Sequence, residues 1–255
     1  DHIRAAYAGR RMNGEIVYLD YAATTPTADP VVEAMNECLG SGTAPANPSS
    51  VHLAGRHAAR IVDKSRRQLA ELLNTGADQI LFTSGATESD NLAIRGVAWA
   101  RASRGKHLVT MLTEHSAVTD TFRHLEKAGF EVSWLSPGSD GLLPLSQLDS
   151  VLRDETQLVS IMHVNNETGV VQDIEAIGNL CREHDILFHT DAAQSVGKLD
   201  IDLGRLPVDL MSLTAHKFYG PQGIGALYVA DRPGTAVFPI LFGGGQERLE
   251  GLCLL

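Results

Sequence analysis

The chain has 255 residues, 44% of them hydrophobic and 20% charged, with a formal net charge of −10. That length and composition suffice for one large core, and the acidic balance argues against nucleic acid or an anionic membrane surface as a partner. No apolar run approaches the roughly 20 residues of a membrane-spanning helix, and the opening DHIRAAYAGRRMNGE lacks the apolar centre of a signal peptide.

These features predict a protein of the cytoplasm or an organelle matrix, with residues 1–15 as a flexible leader. The three cysteines, Cys38, Cys181 and Cys253, are widely spaced and form no CxxC pair, so neither a zinc site nor a disulfide framework is expected. Cys38 and Cys181 sit in helix-like patterns, which predicts small buried side chains.

In chain order, short apolar runs rich in β-formers alternate with amphipathic segments. IVYLD, from Ile16, is the first predicted strand. A helical pattern covers Arg56–Leu73, and QILFTSG then predicts a strand that delivers Ser84, Gly85, Ala86 and Thr87 to the start of a helix. TSGATES reads equally as a capped helix start after a tight turn or as an anion cradle of backbone N–H groups. HLVTMLTEH ends in Glu114 and His115, the latter open to a core role or a catalytic one. EVSWLS follows, and LVSIMHVNNETG ends in Asn165 and Asn166, a turn-forming pair.

ILFHTDAAQS carries Asp191 and Gln194. Asp191 reads as a helix cap or a functional carboxylate, and no second ligand at metal spacing stands near it, so no metal is expected. DLMSLTAHK delivers Thr214, His216 and Lys217, the lysine being either a snorkelling surface residue or a partly desolvated nucleophile. GIGALYV follows after too few residues for a helical crossover, which predicts one antiparallel strand. The alternation predicts a single α/β domain over residues 16–248, a three-layer sandwich around a mostly parallel sheet.

Five runs thus end in polar or ionisable groups, at the strand ends where open α/β sheets bind ligands. Together they meet the needs of pyridoxal 5'-phosphate: a lysine amine, an acid for the pyridine nitrogen, a phosphate cup and donors near the phenolic oxygen. There is neither a G-x-G-x-x-G after the first strand nor a P-loop.

From YLDYAATTP through NPSSVH, FTSGATESDNLAI, TEHSAV, SIMHVNNETGVVQDI, HTDAAQSVGKLDIDL and SLTAHKFYGPQGIGALYV to GGGQER, the chain resembles the cysteine desulfurases of the class V aminotransferase group. The resemblance implies the large domain of fold type I pyridoxal-phosphate enzymes. It implies Lys217 as the Schiff-base lysine, and Thr214, His216, Ala86 and Thr87 around the phosphate. Asp191 would sit at the pyridine nitrogen, with Gln194 and Asn166 beside the phenolic oxygen. His115 would lie over the ring as proton carrier, and Asn47 near the substrate carboxylate.

The implied substrate is L-cysteine, converted to L-alanine with sulfur passed on as a persulfide for iron–sulfur cluster assembly. The implied partners are a second copy in a homodimer and scaffold or sulfur-acceptor proteins. A non-catalytic cofactor-binding remnant and a selenocysteine lyase-like enzyme are the alternatives. After GGGQER the resemblance implies R-x-G-T, a small domain, a cysteine-bearing loop and a substrate-binding arginine. Here residues 249–255 read LEGLCLL, a divergent tail. The expectation is therefore a chain without that loop, inactive alone, with Cys253 as the stand-in nucleophile.

Overall fold

The computed structural model describes residues 11–12, 15–39 and 46–243, with side chains from residue 17 onward. Arg11–Met12 (β1) pairs with Glu15–Ile16 (β2) in an antiparallel ladder, so the segment expected as a loose leader ends in a short ribbon. Two helices follow, Asp29–Leu39 (α1) and Leu53–Leu72 (α2).

The main sheet is built from Ile80–Thr83 (β3), His107–Met111 (β4), Glu131–Leu135 (β5), Thr156–Ser160 (β6), Leu187–Asp191 (β7), Leu210–Thr214 (β8) and Gly225–Val229 (β9). The helices Ala86–Ala100 (α3), Ser116–Lys127 (α4), Leu145–Val151 (α5) and Ile174–Glu183 (α6) connect its strands. The strand order is β3-β9-β8-β7-β6-β4-β5. The pairings β8–β7, β7–β6, β6–β4 and β4–β5 are parallel, whereas β9 runs antiparallel to both of its neighbours. The antiparallel strand expected from the short turn before GIGALYV is therefore β9.

The central strands read as apolar runs because both faces are covered. On one face, Leu108, Leu158, Leu187, Leu210 and Leu227 pack under Ile94 and Val97 of α3 and Phe122 and Leu125 of α4. On the other, Val159, Phe188, Met211 and Leu213 pack with Ile177 and Cys181 of α6, Leu148 of α5 and Leu73 beyond α2. Each fully buried leucine or phenylalanine contributes about 1.5–3 kcal/mol to this three-layer arrangement. Among the described residues no helix is long and apolar enough to cross a membrane.

Two expectations fail. IVYLD does not enter the sheet: beyond the short ribbon, Val17, Tyr18 and Leu19 are exposed. Tyr18 instead closes a turn, its hydroxyl donating to the carbonyls of Asp20 (2.7 Å) and Thr24 (3.0 Å). The aromatic residues of this stretch stack among themselves and onto Tyr219, so apolarity there serves a turn rather than a strand. Cys38, expected to be buried, is exposed. It lies on α1, where Val32, Met35 and Leu39 are also exposed and no residue is buried. Cys181 is buried as expected. The tail 249–255, with Cys253, lies outside the described residues, as do residues 244–248 of the GGGQER motif.

Candidate active site

The C-terminal ends of β3, β4, β6, β7 and β8 open on one cleft of about 790 Å³. Nine of the ten residues singled out in the sequence line it: Ala86, Thr87, His115, Asn166, Asp191, Gln194, Thr214, His216 and Lys217. Asn47 is not among its lining residues; its side-chain oxygen accepts from the Ser49 N–H (2.9 Å) within its own exposed turn.

Lys217 closes a single 3-10 turn, Ala215–Lys217, directly after β8. Its Nζ donates to the carbonyls of Ala22 and, at 2.8 Å, Ala23. Burial lowers its pKa, as does the nearby Lys198, while Asp191 and Asp20 pull the other way. The turn is strapped down by the YAATTP segment. Thr25 donates its N–H (2.8 Å) and its hydroxyl (2.9 Å) to the His216 carbonyl. The Thr25 hydroxyl in turn accepts from the Tyr219 N–H at 2.7 Å. His216 Nδ1 and the Thr24 hydroxyl are 3.1 Å apart.

Asp191 is the last residue of β7 and is 5% exposed. Its Oδ1 accepts from the Ala193 N–H at 2.8 Å. Burial raises its pKa, against the pull of that N–H, of His115 and of Lys217. A carboxylate so placed is completed by a cation in the cleft.

At the start of α3, Gly85 has no side chain with which to cap the helix. The N–H groups of Ala86 and Thr87 are therefore left to the cleft, where the helix dipole favours an anion. Glu88 reaches back to accept from the Ser84 N–H (2.7 Å) and hydroxyl (2.6 Å), fixing the turn. The turn sits close on the sheet because Gly225 of β9 lies beneath it. A Cβ at that position would come within 2.6 Å of Gly85 Cα and 2.5 Å of the Leu213 carbonyl oxygen.

His115 is neither a core residue nor merely exposed. It is the N-cap of α4, Nδ1 accepting from the Ala117 N–H at 3.1 Å. In the neutral ring that bond places the proton on Nε2. The Asn165-Asn166 pair divides its work. Asn165 builds the turn, its Oδ1 accepting from the N–H groups of Glu167 (3.0 Å) and Thr168 (2.9 Å), while Asn166 faces the cleft. Gln194 donates to the Ala22 carbonyl (2.8 Å) and accepts from Lys198 Nζ (3.2 Å), tying β7 to the same strap.

The family model for class V aminotransferases matches residues 17–251. The chain belongs to this family. A protein of Mannheimia succiniciproducens named cysteine desulfurase IscS is 54% identical over 233 residues, covering 91% of this chain and 58% of the relative. The solved structure titled "SspA in complex with cysteine" superposes with a TM-score of 0.84 at 46% identity, covering 90% of this chain and 65% of that one. A "NIFS-like protein" superposes with a TM-score of 0.86 at 38% identity, over 91% of this chain and 63% of that one. The chain thus spans rather more than half the length of the curated relatives it matches. Its α/β fold is that of fold type I.

Class V aminotransferases are pyridoxal-phosphate enzymes, and the donor set here suits that cofactor. A buried carboxylate wants a cation, an uncapped helix start wants an anion, and a partly desolvated amine shares the cleft with them. The class V cleft also contains groups that residue types did not signal. The carbonyls of Ala22 and Ala23 hold the lysine, and Thr24 and Thr25 hold its turn. The YAATTP motif contributed to the family resemblance, but a main-chain carbonyl has no side-chain signature by which its role could be read.

Proposed function

We propose that residues 16–248 act as the pyridoxal-phosphate-binding large domain of a cysteine desulfurase, a sulfurtransferase that converts L-cysteine to L-alanine and passes sulfur on as a persulfide toward iron–sulfur cluster assembly. The observation that carries this reading is the meeting of Lys217 and Asp191 in one cleft, from the ends of adjacent strands. The relatives named cysteine desulfurase support the reaction class. The reading extends to a homodimer and to scaffold or sulfur-acceptor proteins as partners.

When bound, pyridoxal phosphate supplies an aldehyde for amines and an electron sink for the α-carbon. Ala86, Thr87, Thr214 and His216 would receive its phosphate, Asp191 its ring nitrogen, and Asn166 and Gln194 its phenolic oxygen. Lys217 would take the α-proton of the substrate as general base. His115, with its proton on Nε2, delivers protons from the cleft side. Asp191 stabilises positive charge at the bottom of the cleft, and the strap at Ala22–Thr25 keeps the lysine on its side of the site.

A cysteine thiolate must then take the sulfur. Cys181 is not that group: it is wholly buried, and burial with Asp209 nearby pushes its thiol far above the usual range.

Reduction with borohydride in the presence of pyridoxal phosphate, followed by peptide mapping, tests the reading. The cofactor should be fixed to one peptide, the one containing Lys217. Labelling at Lys198 or Lys64 instead would overturn the assignment. A second expectation follows from the Lys198 charge beside Lys217. Removing a like charge raises an amine's pKa. Cofactor loading by Lys198→Ala should therefore need higher pH than loading by the parent chain, read as the midpoint of the absorbance change in a pH series. An unmoved midpoint would show that Lys198 does not act on the nucleophile.

A further inference from the structure

Behind Asp191, away from the cleft, lies a polar layer that the proposed reaction does not use. Asp90 of α3, His189 of β7, Ser160 of β6 and Ser212 of β8 are all completely buried. The two serine hydroxyls take both ring nitrogens of His189, Ser160 at Nδ1 (2.8 Å) and Ser212 at Nε2 (2.9 Å). A hydroxyl donates or accepts as needed, so a neutral imidazole is satisfied in either tautomer. A charged one would need acceptors on both sides.

Asp90 is the unusual member. Among the described residues neither of its oxygens has a hydrogen-bond partner within 3.5 Å; His189 Nε2 stands 3.6 Å away, and the Ser212 hydroxyl, engaged with that ring, is a weak neighbour. Two further carboxyls face it, Asp191 on β7 and Glu114 after β4. Glu114 is also buried, held at Oε1 by the Met162 N–H at 3.0 Å. An ionised carboxylate without donors and beside like charges is costly to bury.

We propose that Asp90 is a positioning residue that keeps its proton and, with His189, Ser160 and Ser212, forms an uncharged layer confining negative charge to Asp191 at the cleft. The directions of the individual groups agree. Burial, then Asp191, raises the Asp90 carboxyl well above its ordinary range, against a smaller pull from Ser212. Burial pushes His189 down to about 3. The competing arrangement, an Asp90 carboxylate paired with a protonated His189, has the same net charge and is separated by where the proton sits.

The protonation claim is independent of the cofactor. Its role toward the ring nitrogen rests on the pyridoxal-phosphate reading above. The test is infrared spectroscopy of the cofactor-free chain with carboxyl-labelled aspartate, in water and deuterium oxide at neutral pH. A protonated-carboxyl band should persist in Asp191→Asn and be lost in Asp90→Asn. No such band in Asp191→Asn would mean that Asp90 is ionised and would overturn the proposal, even if Asp90→Asn failed to fold.

The second readout is the pH midpoint of the visible absorbance after loading with pyridoxal phosphate. Asp90→Asn exchanges one uncharged group for another, so the midpoint should stay in place. Loss of a nearby negative charge would instead move it down by about 1–3 units, which would equally overturn the proposal. A chain that retained the infrared band but took up no cofactor would leave the layer standing and refute the cofactor reading.

Discussion

Lys217→Ala is expected to eliminate exchange of the α-proton of L-cysteine with deuterated water, while leaving the chain folded and able to hold pyridoxal phosphate without covalent attachment. The fold should survive because, among the described residues, the hydrogen bonds of the Lys217 side chain go only to the carbonyls of Ala22 and Ala23, which line the cleft. The strap that fixes the turn runs through the backbone of His216 and Tyr219 and needs no lysine. Removing a positioned general base costs about 10²–10⁴ in rate, and loss of the covalent link adds to it. Exchange is read by mass spectrometry and folding by circular dichroism. Exchange at the rate of the parent chain would place the base elsewhere.

Asp191→Asn should bind cofactor more weakly and exchange the α-proton far more slowly, with the sheet intact. Asparagine is nearly isosteric, and its amide oxygen can still accept from the Ala193 N–H that now holds Oδ1. What is lost is the negative charge. A buried carboxylate against a cation shifts protonation by about 1–3 units, and each unit is about 1.4 kcal/mol. A ring nitrogen left unprotonated is a poor electron sink, so the expected loss in exchange rate is about tenfold to a thousandfold. The same loss in Asp191→Asn and in Asp191→Ala would mean charge, not shape, is what the position supplies. Unchanged exchange would refute the role.

Much of this was legible in the sequence, and the reason is mechanical. Strands covered on both faces are apolar throughout, so QILFTSG, HLVTMLTEH and ILFHTDA announced themselves, and polar residues at their ends marked the ligand edge. The turn before GIGALYV was too short for a crossover, which fixed the direction of β9. The failures share a cause as well. IVYLD satisfies the same apolar rule, but Tyr18 packs on Tyr21, and Val17 and Leu19 are exposed to solvent rather than set in the sheet. The helical pattern around Cys38 does not say whether anything lies against the helix. Asp90 was hidden because a polar residue in the second turn of a helix ordinarily faces water. Its neighbours His189, Ser160 and Ser212 were hidden inside runs that looked uniformly buried and apolar.

The position of β9 has a consequence for how the molecule comes into being. Among the described residues β3 is bonded to no strand except β9, so the strand that leads into the turn at Gly85 is hydrogen-bonded into the sheet through the last of these seven strands in chain order. During synthesis some 140 residues must emerge after Thr83 before its partner Gly225 exists. The Ala22–Thr25 strap waits longer still, with 191 positions separating Thr25 from His216. β4 to β8 can assemble in order from neighbours already present, whereas both walls of the cleft depend on late, distant pairings, which are the slow ones. The nascent chain therefore has a core before it has a pocket. Cofactor added to a ribosome-stalled series should be retained only by chains long enough to expose Val229.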